Sequence, residues 1–236
     1  MPLKFAFNKL AAKFYYGDER KRLQIDSVCR GYSKGFHWEF FKKVLREPWI
    51  RDICVLGVYY GRDIAYMATL LQDLGRRDFS IVGVDKFEDT PCNDWGEEFL
   101  NSTWQDAGFG PAPELEKAKA NLKKLGLGRY VKLYRDLAQN FLRTMDRSFD
   151  LIYIDTSHDY ETTMETIRLS VLRLKTNGLI GGDDFSNQKT WGVKKAVEES
   201  FVNFEVFYSW VWLARRADYD FDLVKSEPAA IIKEIS

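Results

Sequence analysis

Asp155, His158 and the pair Asp183-Asp184 are the residues of this 236-residue chain whose types and spacing best suit chemistry. Asp155 follows the apolar run 149–154, and Asp183-Asp184 follow Leu179-Ile180-Gly181-Gly182. Carboxylates gathered from two strand ends repel one another unless a cation joins them. Oxygen donors of this kind suit a hard divalent ion, Mg²⁺ first and Mn²⁺ or Ca²⁺ behind it. His158 would then lie beside an acceptor hydroxyl, where an imidazole with an unperturbed pKa near ~6.5 is a suitable general base. Taken singly, the aspartates read as helix caps, Asp155 with Thr156 and Asp183 or Asp184 with Ser186. Capping explains too little once three of them converge. His37, the other histidine, has no comparable setting in the sequence.

A second set of residues suits a nucleoside. Gly57-Val58-Tyr59-Tyr60-Gly61 forms a turn between a strand and a helix, and Asp85 closes the next strand. A carboxylate at that tip can accept hydrogen bonds from both ribose hydroxyls, while glycines let the backbone approach the ligand. NAD-dependent Rossmann enzymes share this much. Here, however, the third glycine of G-x-G-x-x-G is missing, and Tyr59 and Tyr60 would crowd a pyrophosphate. A nucleoside without a diphosphate fits better, and S-adenosylmethionine is the obvious one.

The elements that must position these residues alternate. Apolar runs predict strands over 53–58, 79–84, 130–134, 149–154 and from 179, with one or two more over 204–214. Helical spacing falls at 62–74, 113–125, 136–145, 159–174 and 190–201, with Asn177-Gly178 breaking the helix before the fifth strand. Strands alternating with helices imply a doubly wound, mostly parallel sheet, whose ligands bind at the carboxyl ends of the strands. Ahead of this core, 3–16 and 36–45 read as helices separated by a charged turn at 17–22. Residues 86–113 form a long connection carrying Trp95, Phe99, Trp104 and Phe109, the kind usually used as a lid or binding loop. The expected organisation is an N-terminal helical extension over 1–48, a catalytic domain over 49–216 with the insert at 86–113, and a tail over 217–236.

Composition narrows the partners. Lys+Arg and Asp+Glu are both 35, so no net field favours nucleic acid or an acidic membrane surface. The three cysteines lack metal-ligand spacing and suit a reducing cytoplasm. No apolar run approaches the ~20 residues of a membrane span. The basic, amphipathic N-terminus lacks the features of a signal peptide and reads as a helix packed on the domain or on a second subunit, which leaves a homo-oligomer open. The expected partner is a small molecule bearing a hydroxyl group.

The order LGVYYG, IVGVD, YIDTSHDYE, LKTNGLIGGDDF and WGVKKAVEESF resembles the class I S-adenosylmethionine-dependent methyltransferases. Within them it is similar to the branch of macrocin-type and mycinamicin-type sugar O-methyltransferases and cephalosporin-hydroxylase-like proteins. The likeness runs from about Asp52 to Phe201. It implies a Rossmann-like seven-stranded sheet with helices on both faces, and methyl transfer to a hydroxyl of a small polyol, sugar or glycosylated metabolite. It implies that Asp155, Asp183 and Asp184 hold Mg²⁺, that His158 is the base, that Asp85 binds ribose, and that Asp136 flanks the adenine. Gly57, Val58, Tyr59, Gly61, Lys86 and Asp155 would complete the cofactor contacts. Two positions depart from the pattern. Val55 stands where a glutamate is usual, and Asp63 stands where a serine is common and would take up the methionine ammonium. The rival readings are an NAD-dependent oxidoreductase or epimerase and a non-catalytic binding protein on the same fold.

Overall fold

The computed structural model describes residues 18–89, 99–188 and 191–222. The helix expected at 3–16, Trp95, Cys92 and the end of the tail lie outside them. A helix over 18–28 (α1) and Gly35–Val44 (α2) precede the core. Then come β1 Asp52–Leu56, α3 Arg62–Asp73, β2 Ser80–Asp85, α4 Leu115–Lys124, β3 Val131–Arg135 and α5 Ala138–Thr144. β4 Phe149–Ile154, α6 Tyr160–Leu172, β5 Leu174–Gly182, α7 Val193–Ser200, β6 Glu205–Phe207 and β7 Val211–Arg215 follow. The seven strands form one sheet in the order β3-β2-β1-β4-β5-β7-β6, parallel from β3 to β5, with β7 antiparallel to β5 and to β6. This is the doubly wound, mostly parallel sheet that the alternation implies.

Strand periodicity explains why both faces need helices. In β1, Ile53 and Val55 enter one core while Cys54 and Leu56 enter the other, all fully buried. In β4, Leu151 and Tyr153 oppose Ile152 and Ile154 in the same way. Val55, the departure from the family glutamate, is therefore a core residue. α1, α2, α3 and α4 cover the first face, and α5, α6 and α7 cover the second. α2 buries Trp38, Phe40, Phe41 and Val44, and each such side chain contributes about 1.5–3 kcal/mol, so this helix is part of the core.

Two local expectations need correction. Residues 18–22 lie within α1 and do not form a turn. Their charges pair along and between helices, Arg22 with Asp26 at 2.9 Å and Lys21 with Asp73 at 2.5 Å, as helix spacing allows. Asn177-Gly178 also does not end a helix: α6 stops at Leu172, and both residues lie within β5. A register shift between Phe149 and Leu151 against β5 absorbs this irregular start.

Candidate active site

The carboxyl ends of four strands finish level. Leu56 pairs with Val84 and with Ile154, and Ile154 pairs with Gly182. The ladder runs one residue further, with Gly57 N–H donating to Val84 O at 2.8 Å, Asp155 N–H to Leu56 O at 2.7 Å and Asp183 N–H to Ile154 O at 3.0 Å. Gly57, Asp85, Asp155 and Asp183 therefore share one edge, at the point between β1 and β4 where the strand order reverses. That crevice is the usual ligand site of such sheets.

None of the three clustered aspartates is a helix cap. Asp159 caps α6, accepting from Thr162 N–H at 2.9 Å, and Gly192 occupies the N-cap of α7. One oxygen each from Asp155, Asp183 and Asp184 lies within 4.8 Å of the others. Consecutive strand side chains normally point to opposite faces, but Asp184 has φ 58°, in the left-handed region. That turn brings its carboxylate round to the same side as Asp183. Burial pushes the Asp155 carboxyl well above the ordinary 3.8, and the Asp183 and Asp184 charges push it further. Burial raises Asp183 too, with the His37 imidazole opposing. Such a set is stable as anions when a cation sits among it, so the donor set fits a hard divalent ion.

An imidazole attends each member of the Asp183-Asp184 pair. His158 Nε2 lies 2.9 Å from Asp184 Oδ2, its ring stacks on Trp191 at 4.2 Å and 12°, and its Nδ1 is buried. To accept a proton directly from an acceptor, His158 would have to release Asp184. His37 Nε2 lies 2.8 Å from Asp183 Oδ2, and the residue is 2% exposed. His37 thus has a setting as close to the cluster as that of His158. The 146 residues separating it from Asp183 left no spacing signal.

The glycine turn is built for reasons other than those expected. Gly57 has φ 90°, and a Cβ there would lie 1.6 Å from the Asp155 carbonyl oxygen. What approaches this backbone is the end of β4. Gly61, at φ 88°, starts α3 in the left-handed region. Val58 and Tyr59 N–H both donate to Asp85 Oδ2 at 2.8 Å, and Phe87 N–H donates to Asp85 Oδ1 at 2.8 Å. Asp85 therefore braces the turn and keeps acceptor capacity on Oδ1 alone for a ribose. The Tyr59 ring stacks on Trp104 at 5.1 Å, and its hydroxyl donates to Pro111 O at 3.2 Å, so this side chain anchors the insert.

Gly57, Val58, Tyr59 and Asp85 line one cavity with Asp155, His158, Asp183 and Asp184, and its volume of about 910 Å³ is that of a small-molecule site. Gly61 faces Leu122 and is not part of the cavity wall. Lys86 stands exposed on its rim, and Asp136 accepts from Leu137 N–H at 2.8 Å beside it. Asp63 is 8% exposed, its Oδ1 has no hydrogen-bond partner, and burial raises its carboxyl despite the nearby His37 and Ser33. A buried acid on a cavity wall, with one oxygen lacking a hydrogen-bond partner, suits a cationic group such as an ammonium. The walls also include Tyr32 and His37 from the N-terminal region, Trp104 from the insert, and Trp191, Tyr208 and Trp210.

Residues 54–185 match the profile of a family described as a methyltransferase domain. The match runs from β1 to the residue after the aspartate pair and covers more than half of the chain. This chain belongs to the methyltransferase-domain family.

Solved methyltransferases share the fold. The O-methyltransferase NovP aligns with a TM-score of 0.60 at 17% identity, over 77% of this chain and 79% of that one. A Bacillus cereus O-methyltransferase in complex with SAH gives 0.54 at 14%, over 84% and 90%. TomG from Streptomyces achromogenes, an O-methyltransferase involved in tomaymycin synthesis and solved with SAM, gives 0.52 at 13%, over 77% and 80%. No curated protein matches by sequence. The methyltransferase-domain match ends before Trp191 and begins after His37; Trp191 opens the WGVKKAVEESF stretch, whereas His37 stood outside every motif.

Proposed function

We propose that this methyltransferase-domain protein is an S-adenosylmethionine-dependent, divalent-cation-dependent O-methyltransferase. Its acceptor is a hydroxyl of a small polyol, sugar or glycosylated metabolite, as in the macrocin-type branch. The observation that carries this reading is the convergence of Asp155, Asp183 and Asp184 within 4.8 Å on the wall of the same cavity that Asp85 and Asp63 line. Asp63 suits the methionine ammonium and Asp85 Oδ1 a ribose hydroxyl. Lys86 and Asp136 stand where the adenosine would end. When bound, the cofactor supplies an electrophilic methyl group, and the cation lowers the pKa of a hydroxyl held beside it. Asp155, Asp183 and Asp184 orient that hydroxyl through their placement, and His158, once its Nε2 releases Asp184, receives its proton. Trp104, Trp191 and Trp210 line the cavity with apolar surface that keeps water from the reacting oxygen. Buried, unpaired Cys29 and Cys54 agree with a cytoplasmic setting.

The test is transfer of labelled methyl from S-adenosylmethionine to a panel of polyols and sugars, with Mg²⁺ titrated back after chelation. Activity should vanish with chelator and return with the ion. Full activity in excess chelator would reject the cation. Tight NAD binding without S-adenosylhomocysteine binding would reject the cofactor.

A further inference from the structure

His37 is the third residue of α2, outside the methyltransferase-domain match at 54–185, yet it ends on the acidic cluster. Lys34 N–H points at His37 Nδ1 from 2.8 Å, so Nδ1 is the acceptor and the ring hydrogen sits on Nε2. That hydrogen is donated to Asp183 Oδ2 at 2.8 Å. The other oxygen, Asp183 Oδ1, is buried and has no hydrogen-bond partner. One oxygen of the carboxylate is therefore held and the other, buried, has no hydrogen-bond partner. The imidazole is itself fixed: it is 2% exposed and stacked with Phe36 at 4.2 Å and 26°. The segment bearing it is tied to α3, where Arg62 donates to Cys29 O at 2.9 Å and to Ser33 O at 3.1 Å.

We infer that His37 is a positioning residue for the cation site, holding Asp183 by Oδ2 so that Oδ1 is presented alongside Asp155 and Asp184. The N-terminal extension thus completes the site that the matched domain supplies. This rests on the proposal that the three aspartates hold a divalent ion. Hydrogen-bonded outer partners fix the geometry of metal-ligating side chains, and their loss costs affinity for the ion.

The experiment measures Mn²⁺ binding by electron paramagnetic resonance titration of the full chain, with S-adenosylhomocysteine affinity and Tm read in parallel. His37→Phe keeps the ring but removes the donor, whereas His37→Gln places an amide N–H near the position of Nε2. His37→Phe should weaken Mn²⁺ binding roughly 10–100-fold, with His37→Gln close to wild type and S-adenosylhomocysteine affinity unchanged in both. Wild-type Mn²⁺ affinity in His37→Phe would overturn the inference and leave the cation site standing. Equal losses in His37→Phe and His37→Gln would also overturn it, since they would mark a packing role. Wild-type protein that binds Mn²⁺ no better than Asp183→Asn would overturn both the inference and the cation site. Should His37→Phe not fold, His37→Asn, whose amide stops short of Asp183, gives the same reading.

Discussion

Asp183 and Asp184 share a site only because one of them leaves strand geometry. An acid-to-amide change at either should abolish cation-dependent turnover. S-adenosylhomocysteine binding should survive, since Asp63 and Asp85 lie on α3 and β2; calorimetry beside a chelator-and-Mg²⁺ assay checks both. His158→Ala is expected to lower kcat by about 10²–10⁴, the usual contribution of a general base. A wild-type kcat in that variant would show that another group takes the proton. Gly57→Ala should destabilise the protein by more than about 1 kcal/mol in urea unfolding, because an alanine is strained at φ 90° and would collide with the Asp155 carbonyl. At this scale the sequence was informative about residue types at strand ends, since Asp85, Asp155, Asp183 and Asp184 all reach the cavity. It was silent on rotamers and partners. That Asp85 spends its Oδ2 on Val58 and Tyr59, and that His37 meets Asp183, are facts of tertiary approach that no local spacing encodes.

The described part of the insert and the segments around α1 and α2 each give the cavity part of its wall, Trp104 from the one and Arg30, Tyr32 and His37 from the other. Phe109 O accepts from Arg30 at 3.1 Å and from Tyr32, and Tyr60 donates to Ala112 O at 2.7 Å, binding 99–113 to the glycine turn and to the segment after α1. The amides of Ala107, Gly108 and Phe109, which donate to Thr103 O, Gln105 O and Trp104 O, should be protected from hydrogen exchange before any ligand is added. Tyr59→Phe removes a hydrogen bond worth about 1 kcal/mol, so exchange at Ala107, Gly108 and Phe109 should quicken about fivefold. Exchange there at the rate of an unstructured chain in the wild type would contradict the packing. The strands and helices of the core were legible because period-2 and period-3.6 patterns are strong in buried elements. The helical state of 18–22 was not, because this charged run of α1 has no apolar stripe and its ion pairs run both along the helix and across to α3.

For the whole molecule, concentrating acids at one sheet edge makes stability depend on pH and on the ion. Asp155 and Asp183 have folded pKa values raised above 3.8 by burial. The folded state therefore binds more protons than the unfolded chain once the pH exceeds about that value, and unfolding free energy falls as pH rises. His37, whose pKa is raised by the Asp183 hydrogen bond and charge despite an opposing burial effect, acts in the same direction. Chelated protein should accordingly be more stable at pH 5.5 than at pH 8 in denaturant titrations, and added Mg²⁺ should flatten the difference. A slope unaltered by the ion would count against a shared cation. The class of the whole fold was readable from the alternation of elements, whereas the joining of the N-terminal extension to the acidic edge depends on packing across the sheet. The most direct test of the central claim is anomalous scattering from crystals grown with S-adenosylhomocysteine and Mn²⁺. The expected result is a manganese peak bonded to Asp155, Asp183 and Asp184, with the nucleoside in the cavity between Asp63 and Asp85. An acidic cluster with no manganese in crystals that hold the nucleoside, or a cavity that takes none, would contradict it.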